Sequence, residues 1–250
     1  MTQDLYKDFA DRYDLFISSF GEHDPVYVEF FKKIFEASKV KSILDCACGT
    51  GHDLHLFHSL GYEVVGSDIS ESMLVRAKKN LANFGIKIPR HKVDYRALAE
   101  FFNRSFDAVV CLSSSLLHML NKKEVLRAFR SMRNVLRDKG ILVITQGTTD
   151  KQWQEKPRFM LAVDKKNFFR LFVIDYIKQG ARYNVLDIHH ANKKSELKVW
   201  KVDYPQILLK DDYQKLLRLA GFRKVDFYGS YRFESYNKKS SNRLIVAAYK

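Results

Sequence analysis

Ser42-Ile43-Leu44-Asp45-Cys46-Ala47-Cys48-Gly49-Thr50-Gly51 decides the fold. It is an apolar run of strand length that ends on a carboxylate and then on two glycines. A helical stretch, residues 53–60, lies behind it and stops at Gly61. Glycine carries no Cβ, so backbone at such a turn is free to approach a ligand closely. The same unit then recurs. Residues 63–66 read as a second strand ending at Asp68, and 70–84 as a helix with Ser70 as its N-cap. Residues 87–93 read as a third strand ending at Asp94, 106–112 as a fourth, 122–136 as a helix and 140–145 as a fifth strand. Strands alternating with helices imply right-handed crossovers and a parallel sheet. The expected fold is therefore α/β: a Rossmann-like, doubly wound, mostly parallel sheet of about seven strands.

Beyond residue 150 the alternation stops. Stretches 168–179, 182–190 and 196–204 are rich in Val, Ile, Tyr, Phe and Trp, and turns holding Gly180 and Asn192-Lys193-Lys194 separate them. This pattern predicts an inserted antiparallel meander. A helix over 211–221 and closing strands over 225–228 and 243–249 complete the chain. Ahead of the first strand, Phe9, Tyr13, Phe16, Ile17 and Phe20 recur at helical spacing. A second set, Val28, Phe31, Ile34 and Phe35, comes after a break from Gly21 to Pro25. The predicted organisation is an N-terminal helical lid over 1–40, a core over 41–149 and 206–250, and a substrate-covering insert over 150–205.

Composition narrows the class. The chain has 250 residues, 46% hydrophobic and 29% charged, as in an ordinary globular protein. No apolar run reaches the roughly 18 residues that span a bilayer, and the acidic, aromatic N-terminus is unlike a targeting peptide. Cys46, Cys48 and Cys111 lack zinc spacing and read as small buried thiols, which points to a reducing cytoplasm and no metal. The net charge of +14 invites a nucleic-acid partner. However, its lysine pairs, from Lys32-Lys33 to Lys238-Lys239, recur along the whole chain. They read as a solvated surface rather than one phosphate-tracking groove, so the expected partner is a small molecule. Homo-oligomers are compatible with the sequence.

The residues after Gly51 select among nucleotides. A dinucleotide fingerprint would place a third glycine where Leu54 stands, and a phosphate-binding loop would place Lys-Ser/Thr where His52-Asp53 stands. Asp53 at the start of the helix would also repel a pyrophosphate. A cofactor with no phosphate and a positive charge suits this loop, and S-adenosylmethionine is such a molecule. Asp68, at the next strand end, has the carboxylate that accepts from ribose hydroxyls.

In order and spacing, Asp45-x-x-Cys48-Gly49-Thr50-Gly51, Gly66-Ser67-Asp68-Ile69-Ser70 with Met73, Val93-Asp94-Tyr95 and Phe106-Asp107-Ala108-Val109-Val110 resemble the motifs of class I S-adenosylmethionine-dependent methyltransferases, over residues 41–146. The resemblance implies that Asp45, Cys48, Gly49 and Gly51 line the methionine portion. It also implies that Asp68 holds the ribose, that Ile69 and Met73 pack on adenine, that Asp94 accepts from the adenine amino group beside Tyr95, and that Leu112 joins these contacts. Within the class, Cys111 to Met119 and the early Tyr13-Asp14 pair resemble glycine and sarcosine N-methyltransferases and amino-sugar N,N-dimethyltransferases. That implies methyl transfer to a small-molecule amine, with S-adenosylhomocysteine as product.

The chain departs from the glycine enzymes at two positions. Ser114 stands where they have Asn, and Gly147 where they place a carboxylate-binding Arg. A guanidinium fork would then have to come from Arg158, Arg170 or Arg182. His118 is a candidate base or orienter beside Tyr13 as the catalytic pair. Ser114, Arg158, Arg170 and Tyr204 are the expected substrate contacts. Tyr13, Phe16, Trp153, Phe159, Phe168, Phe169, Tyr176, Trp200 and Tyr204 suit either a cation–π box for an amine or the core of the meander.

Overall fold

The computed structural model describes residues 10–16, 19–191 and 194–250. Phe9, Ile17, Asn192 and Lys193 lie outside them, as does the side chain of Phe16. The helices are α1 (Ala10–Tyr13), α2 (Pro25–Ala37), α3 (His52–Ser59), α4 (Glu71–Ala82), α5 (Leu98–Phe101), α6 (Lys122–Asn134), α7 (Asp150–Glu155) and α8 (Lys210–Leu219). The strands are β1 (Ser42–Asp45), β2 (Glu63–Asp68), β3 (Arg90–Lys92), β4 (Phe106–Cys111), β5 (Leu136–Gln146), β6 (Phe159–Lys165), β7 (Phe168–Tyr176), β8 (Ala181–Ala191), β9 (Lys194–Tyr204), β10 (Lys224–Tyr228) and β11 (Leu244–Tyr249).

Seven strands form one sheet in the order β10-β11-β5-β4-β1-β2-β3. Its strands pair in parallel except where β11 meets β5 and β10. Alternation along each strand sends neighbours into opposite layers. Ile43, Val64, Ala108, Val110, Ile141 and Val143 pack with Phe31, Phe35 and Phe57 of α2 and α3. Leu44, Val65, Val109, Cys111, Leu142 and Ile144 pack with Phe129 of α6 and Tyr213 and Leu217 of α8. Burial on both faces is what makes these strands read as unbroken apolar runs.

Local chemistry fixes the helix starts. Asp24 accepts from the Val26 amide ahead of Pro25, Ser70 Oγ accepts from the Met73 amide at 3.2 Å, and Asn121 accepts from the Lys123 and Glu124 amides. Within the main sheet, the third and fifth strands differ most from the sequence reading. The third strand shortens to three residues. The fifth begins at Leu136, because the chain leaves the helix there and pairs early, passing through Lys139 at positive φ and a register shift opposite Phe106 and Ala108. Gly140 permits that approach: a Cβ there would lie 2.8 Å from the Arg137 carbonyl oxygen.

The second sheet is antiparallel, β6-β7-β8-β9, and it comes after α7 as an excursion from the main sheet between β5 and α8. Strand β6 and helix α7 add to the three predicted strands. One face of this sheet, carrying Met160, Phe172, Ile174, Ala181, Tyr183, Val202 and Tyr204, is packed as a core of its own. Helix α1 and the turn after it, Asp14–Phe16, bridge the two sheets. Asp14 accepts from Arg76 Nε at 2.8 Å and Asn80 Nδ2 at 2.9 Å on α4. Arg12 pairs with Glu196 and lies over the Trp200 ring of β9. Among the described residues, no helix is long and apolar enough to cross a membrane.

Candidate active site

In the main sheet the strand order reverses between β1 and β4, and a doubly wound sheet opens a crevice beyond the carboxyl ends of the strands at that point. The loop after β1 fills it. Asp45 is buried and accepts from the Ala47 amide at 3.2 Å. The Cys48 amide donates to the Ser67 carbonyl, and the Gly49 amide donates to Asp68 Oδ2 at 2.9 Å. The other oxygen of Asp68 accepts from the Ser70 amide at 2.9 Å, so one carboxylate ties the glycine loop to the start of α4.

Both loop glycines have positive φ, and their surroundings differ. A Cβ on Gly49 would meet nothing within 4 Å, whereas one on Gly51 would press on the Ala77 Cβ at 3.2 Å. Gly51 therefore serves the packing of α3 against α4, and Gly49 faces open space. Asn80 Nδ2 donates to the Thr50 carbonyl and completes the loop.

Negative charge gathers here. Burial, then Asp53, then Asp68 push the Asp45 carboxyl well above its usual range. Asp53 accepts from Tyr27 Oη at 2.8 Å. The Tyr13 phenol is pushed up to about 12 by burial, with Asp53 and Asp68 adding to it. Tyr13 thus lies within electrostatic reach of the glycine loop. Carboxylates crowded in this way disfavour a phosphate and favour a cation. A positively charged, phosphate-free cofactor with a ribose fits both this donor set and the space at Gly49.

Three rings pack in a row where the insert meets the turn after β4. His118 lies 5.1 Å from Tyr204, and Tyr204 5.1 Å from Tyr183, ring centre to ring centre. Tyr13 adds to the electrostatic field at Tyr204, whose phenol burial raises well above its usual range. Burial also lowers the imidazole of His118 to about 4. Tyr183 Oη meets Thr148 Oγ1 and Gln152 Nε2, both at 3.2 Å. The floor beside them is strained. Ser113 and Ser114 both have positive φ, held by the Ser113 amide to Thr145 Oγ1 and the Ser114 amide to the Thr145 carbonyl. Ser114 Oγ accepts from the Gly147 amide at 3.0 Å.

The structure brings together Asp45, Cys48, Gly49, Gly51, Asp68 and Met73 in the loop region, and Tyr13, Leu112, Ser114, His118 and Tyr204 beside it. Ile69 is more than half exposed. Asp94, just past β3, lies with Tyr95. Its carboxylate takes three hydrogen bonds from the Arg96 side chain, and Tyr95 Oη donates to the Ser115 carbonyl.

Two of the three insert arginines face away from the rings, and the third, Arg170, lies within electrostatic reach of Tyr13. Arg182 comes after inward Ala181, so it points outward, where it grips Asp203. Arg158, 3.9 Å from Asp175, sits on the same outward side, as do Phe159 and Phe169 by strand alternation. Arg170 points inward but spans Asp187 with both oxygens, wholly buried. Tyr183, Gln152 and Arg12 were not singled out in the sequence. The signal available was parity: Tyr183 shares its face with Ala181, Val185 and Asp187 across from Tyr204 and Trp200.

Comparison with known proteins now identifies the domain. A model for the methyltransferase domain matches residues 43–140. Residues 43–140 carry a methyltransferase domain. The glycine/sarcosine N-methyltransferase of Parasynechococcus marenigrum is 31% identical over 60% of this chain and 52% of that protein. The enzyme of the same name from Aphanothece halophytica is 28% identical over 89% of this chain and 81% of its own. A dTDP-3-amino-3,4,6-trideoxy-alpha-D-glucopyranose N,N-dimethyltransferase from Streptomyces venezuelae is 30% identical over 55% of this chain and 56% of that protein. The alignment thus spans about half the length of the first and third of these relatives. The fold, insert included, is shared with a Clostridium acetobutylicum S-adenosylmethionine-dependent methyltransferase, at a TM-score of 0.81, 17% identity and 98% coverage of both chains. A solved neighbour of this fold, the amino pentose methyltransferase CalS10 of Micromonospora echinaspora, holds S-adenosylmethionine; it is 17% identical at a TM-score of 0.69, covering 92% of this chain and 94% of that one.

Proposed function

We propose that the methyltransferase moves a methyl group to the nitrogen of a small amine held among Tyr13, His118, Tyr183 and Tyr204. The observation that carries this reading is the pairing of a carboxylate-rich glycine loop with a cluster of buried, neutral rings, His118, Tyr204 and Tyr183, in which Tyr204 lies in the electrostatic field of Tyr13. Bound at the loop, S-adenosylmethionine supplies an electrophilic methyl on a sulfonium. Asp68 has lone pairs beyond those used by Gly49 and Ser70 and accepts from the ribose hydroxyls. Asp45, Cys48, Gly49 and Gly51 line the methionine portion, and Ile69, Met73 and Leu112 pack on adenine. Asp94, clamped by Arg96, offers its remaining lone pairs to the adenine amino group with Tyr95 alongside.

Transfer needs the acceptor nitrogen neutral and in line with the methyl, and positioning supplies much of the rate. Tyr13 and Tyr204 remain protonated and donate or accept hydrogen bonds. His118, uncharged at neutral pH, does not repel an arriving ammonium and accepts from an N–H. Ser114 lines the floor. Helix α1 and the insert close over the cluster and exclude water.

Arg158 and Arg182 face away and Arg170 is committed to Asp187, so none of the three is the fork for a carboxylate. Arg12 is placed differently. It lies where α1 meets the inner face of β9, and its Nη1 is buried with no hydrogen bond among the described residues. In a glycine- or sarcosine-like acceptor the carboxylate meets Arg12. An amino-sugar-like acceptor uses the hydroxyls of Tyr183 and Thr148 and the amide of Gln152.

Labelled cofactor incubated with amino acids, amino sugars, phenols and carboxylic acids tests the reading. Labelled amines support it. Label confined to phenols or acids, or no label at all, would sink it. Arg12→Leu then separates the two acceptor types, raising KM for carboxylated amines alone.

A further inference from the structure

Helix α4 buries a stripe made of Met73, Leu74, Ala77, Asn80 and Leu81. Asn80 is the polar member of that stripe and is only 6% exposed. A buried amide costs free energy unless its polar atoms are met, and Asn is a poor helix former. Packing by itself would select another Ala or Leu at this position.

The Asn80 side chain has two amide hydrogens, and each has a partner. One goes to the Thr50 carbonyl at 3.1 Å, between Gly49 and Gly51 in the loop after β1. The other goes to Asp14 Oδ2 at 2.9 Å, in the turn that follows Tyr13. Both partners only accept, so the nitrogen of the amide, not its oxygen, has to face them. Arg76, one turn earlier on α4, donates its Nε to the same Asp14 oxygen at 2.8 Å.

These contacts matter because the segment that carries Tyr13 is too short to hold its own place. Helix α1 has four residues and the turn after it three, against the roughly 12–15 at which a helix becomes marginally stable by itself. Its position is set from outside. Asn80 and Arg76 hold it through Asp14, Arg170 through the Arg12 carbonyl, and Glu196 through the Arg12 guanidinium. Of these tethers, Asn80 is the one that also grips the glycine loop.

We propose that Asn80 is a positioning residue that couples the glycine loop to Tyr13, one amide nitrogen holding both the Thr50 peptide and the turn that places the phenol. The inference rests on the cofactor site argued above and assigns Asn80 no contact with a reactant. A cofactor that steadies the loop thereby steadies the turn, and by reciprocity a docked turn tightens the hold on the cofactor.

Hydrogen exchange in peptides spanning residues 10–16, with and without S-adenosylhomocysteine, reads this coupling with no methyl acceptor present. In the wild type the ligand should slow exchange there by about tenfold, the range of one hydrogen bond to a charged group. Asn80→Asp keeps the shape of the side chain and turns its donor into an acceptor facing Asp14 and the Thr50 carbonyl. Basal exchange over 10–16 should rise in this variant, and the slowing by ligand should disappear although calorimetry still detects binding. Adding Asp14→Asn to Asn80→Asp restores a donor opposite an acceptor across the 14–80 contact but leaves the Thr50 contact broken. The double variant should therefore regain the basal rate and still lack the slowing by ligand, a split that a merely structural role would not produce. The wild-type arm needs no variant to fold. Wild-type protein that binds S-adenosylhomocysteine without slower exchange over 10–16 would overturn the proposal. So would an Asn80→Asp variant that keeps the slowing, or a double variant that fails to regain the basal rate. Wild-type protein that binds no S-adenosylhomocysteine would overturn the cofactor site as well, which separates the two readings.

Discussion

The guanidinium of Arg170 spans both carboxylate oxygens of Asp187, at 2.5 and 2.6 Å, with neither side chain exposed. The two residues are direct neighbours in the β7–β8 register and share the inward face of the insert. Arg170 Nη2 also donates to the Arg12 carbonyl at 3.3 Å. A buried pair thereby joins the insert to the short helix that carries Tyr13, while Asp14 joins that helix to α4. Such a pair adds little net stability, since both charges lose water, but losing one partner leaves the other buried and uncompensated.

Asp187→Asn should therefore be costly, lowering unfolding free energy by about 3–5 kcal/mol. Replacing both residues together with apolar ones of similar volume should cost less than that single change. Denaturant titrations of the single and double variants check the order. A double variant at least as damaged as the single would show that the pair is not the unit that matters.

The Asp68 carboxylate stands between two backbone amides, Gly49 and Ser70, and the place proposed for the ribose. Asp68→Asn keeps one acceptor oxygen and loses the charge. It should weaken S-adenosylhomocysteine binding by about tenfold or more, as expected for a charged hydrogen bond of roughly 1.5–3 kcal/mol. Isothermal titration calorimetry reads the change. Affinity equal to wild type would remove Asp68 from the cofactor site.

Legibility in the sequence tracked the range of the interactions. Asp45 to Gly51, Ser70 as a cap and the alternation of strands and helices are set by residues a few positions apart, and each is found where the sequence placed it. The fifth strand began early because the pairing of Leu136 with Phe106 depends on contact with β4, which no local pattern encodes. Arg158 and Arg182 looked available only while the orientation of the insert was unknown; a shift of one residue turns a strand side chain to the other face. Arg170 looked like a free fork because its partner, Asp187, lies on the next strand. Tyr183 was passed over for the same reason.

The pH dependence of turnover should belong to the acceptor. His118 is neutral down to about 4 and Tyr13 protonated up to about 12, so neither changes charge near neutrality. Rate rises with pH as the acceptor ammonium loses its proton. Two acceptors whose ammonium pKa values differ by about two should show kcat/KM limbs displaced by about two pH units. A limb fixed near 6.5 for both would assign the titration to a histidine of the protein.

Stability should fall on the acid side. His118 and His23 each have a folded pKa of about 4, below the unfolded value of 6.5, and burial is the leading cause in both. Between those values the unfolded chain binds more protons, so stability is lost as pH drops from about 6.5 to about 4. Melting temperatures measured across this range should decline, and His118→Gln should flatten the decline. An unchanged slope in that variant would mean the imidazole is already solvated.

Diffraction from crystals grown with S-adenosylhomocysteine tests the central claim most directly. The adenosine should lie along Asp68 and Asp94, with the homocysteine over Gly49 and the sulfur turned toward the chamber formed by Tyr13, His118, Tyr183 and Tyr204. A cofactor bound with its sulfur facing away from those four rings would contradict the account.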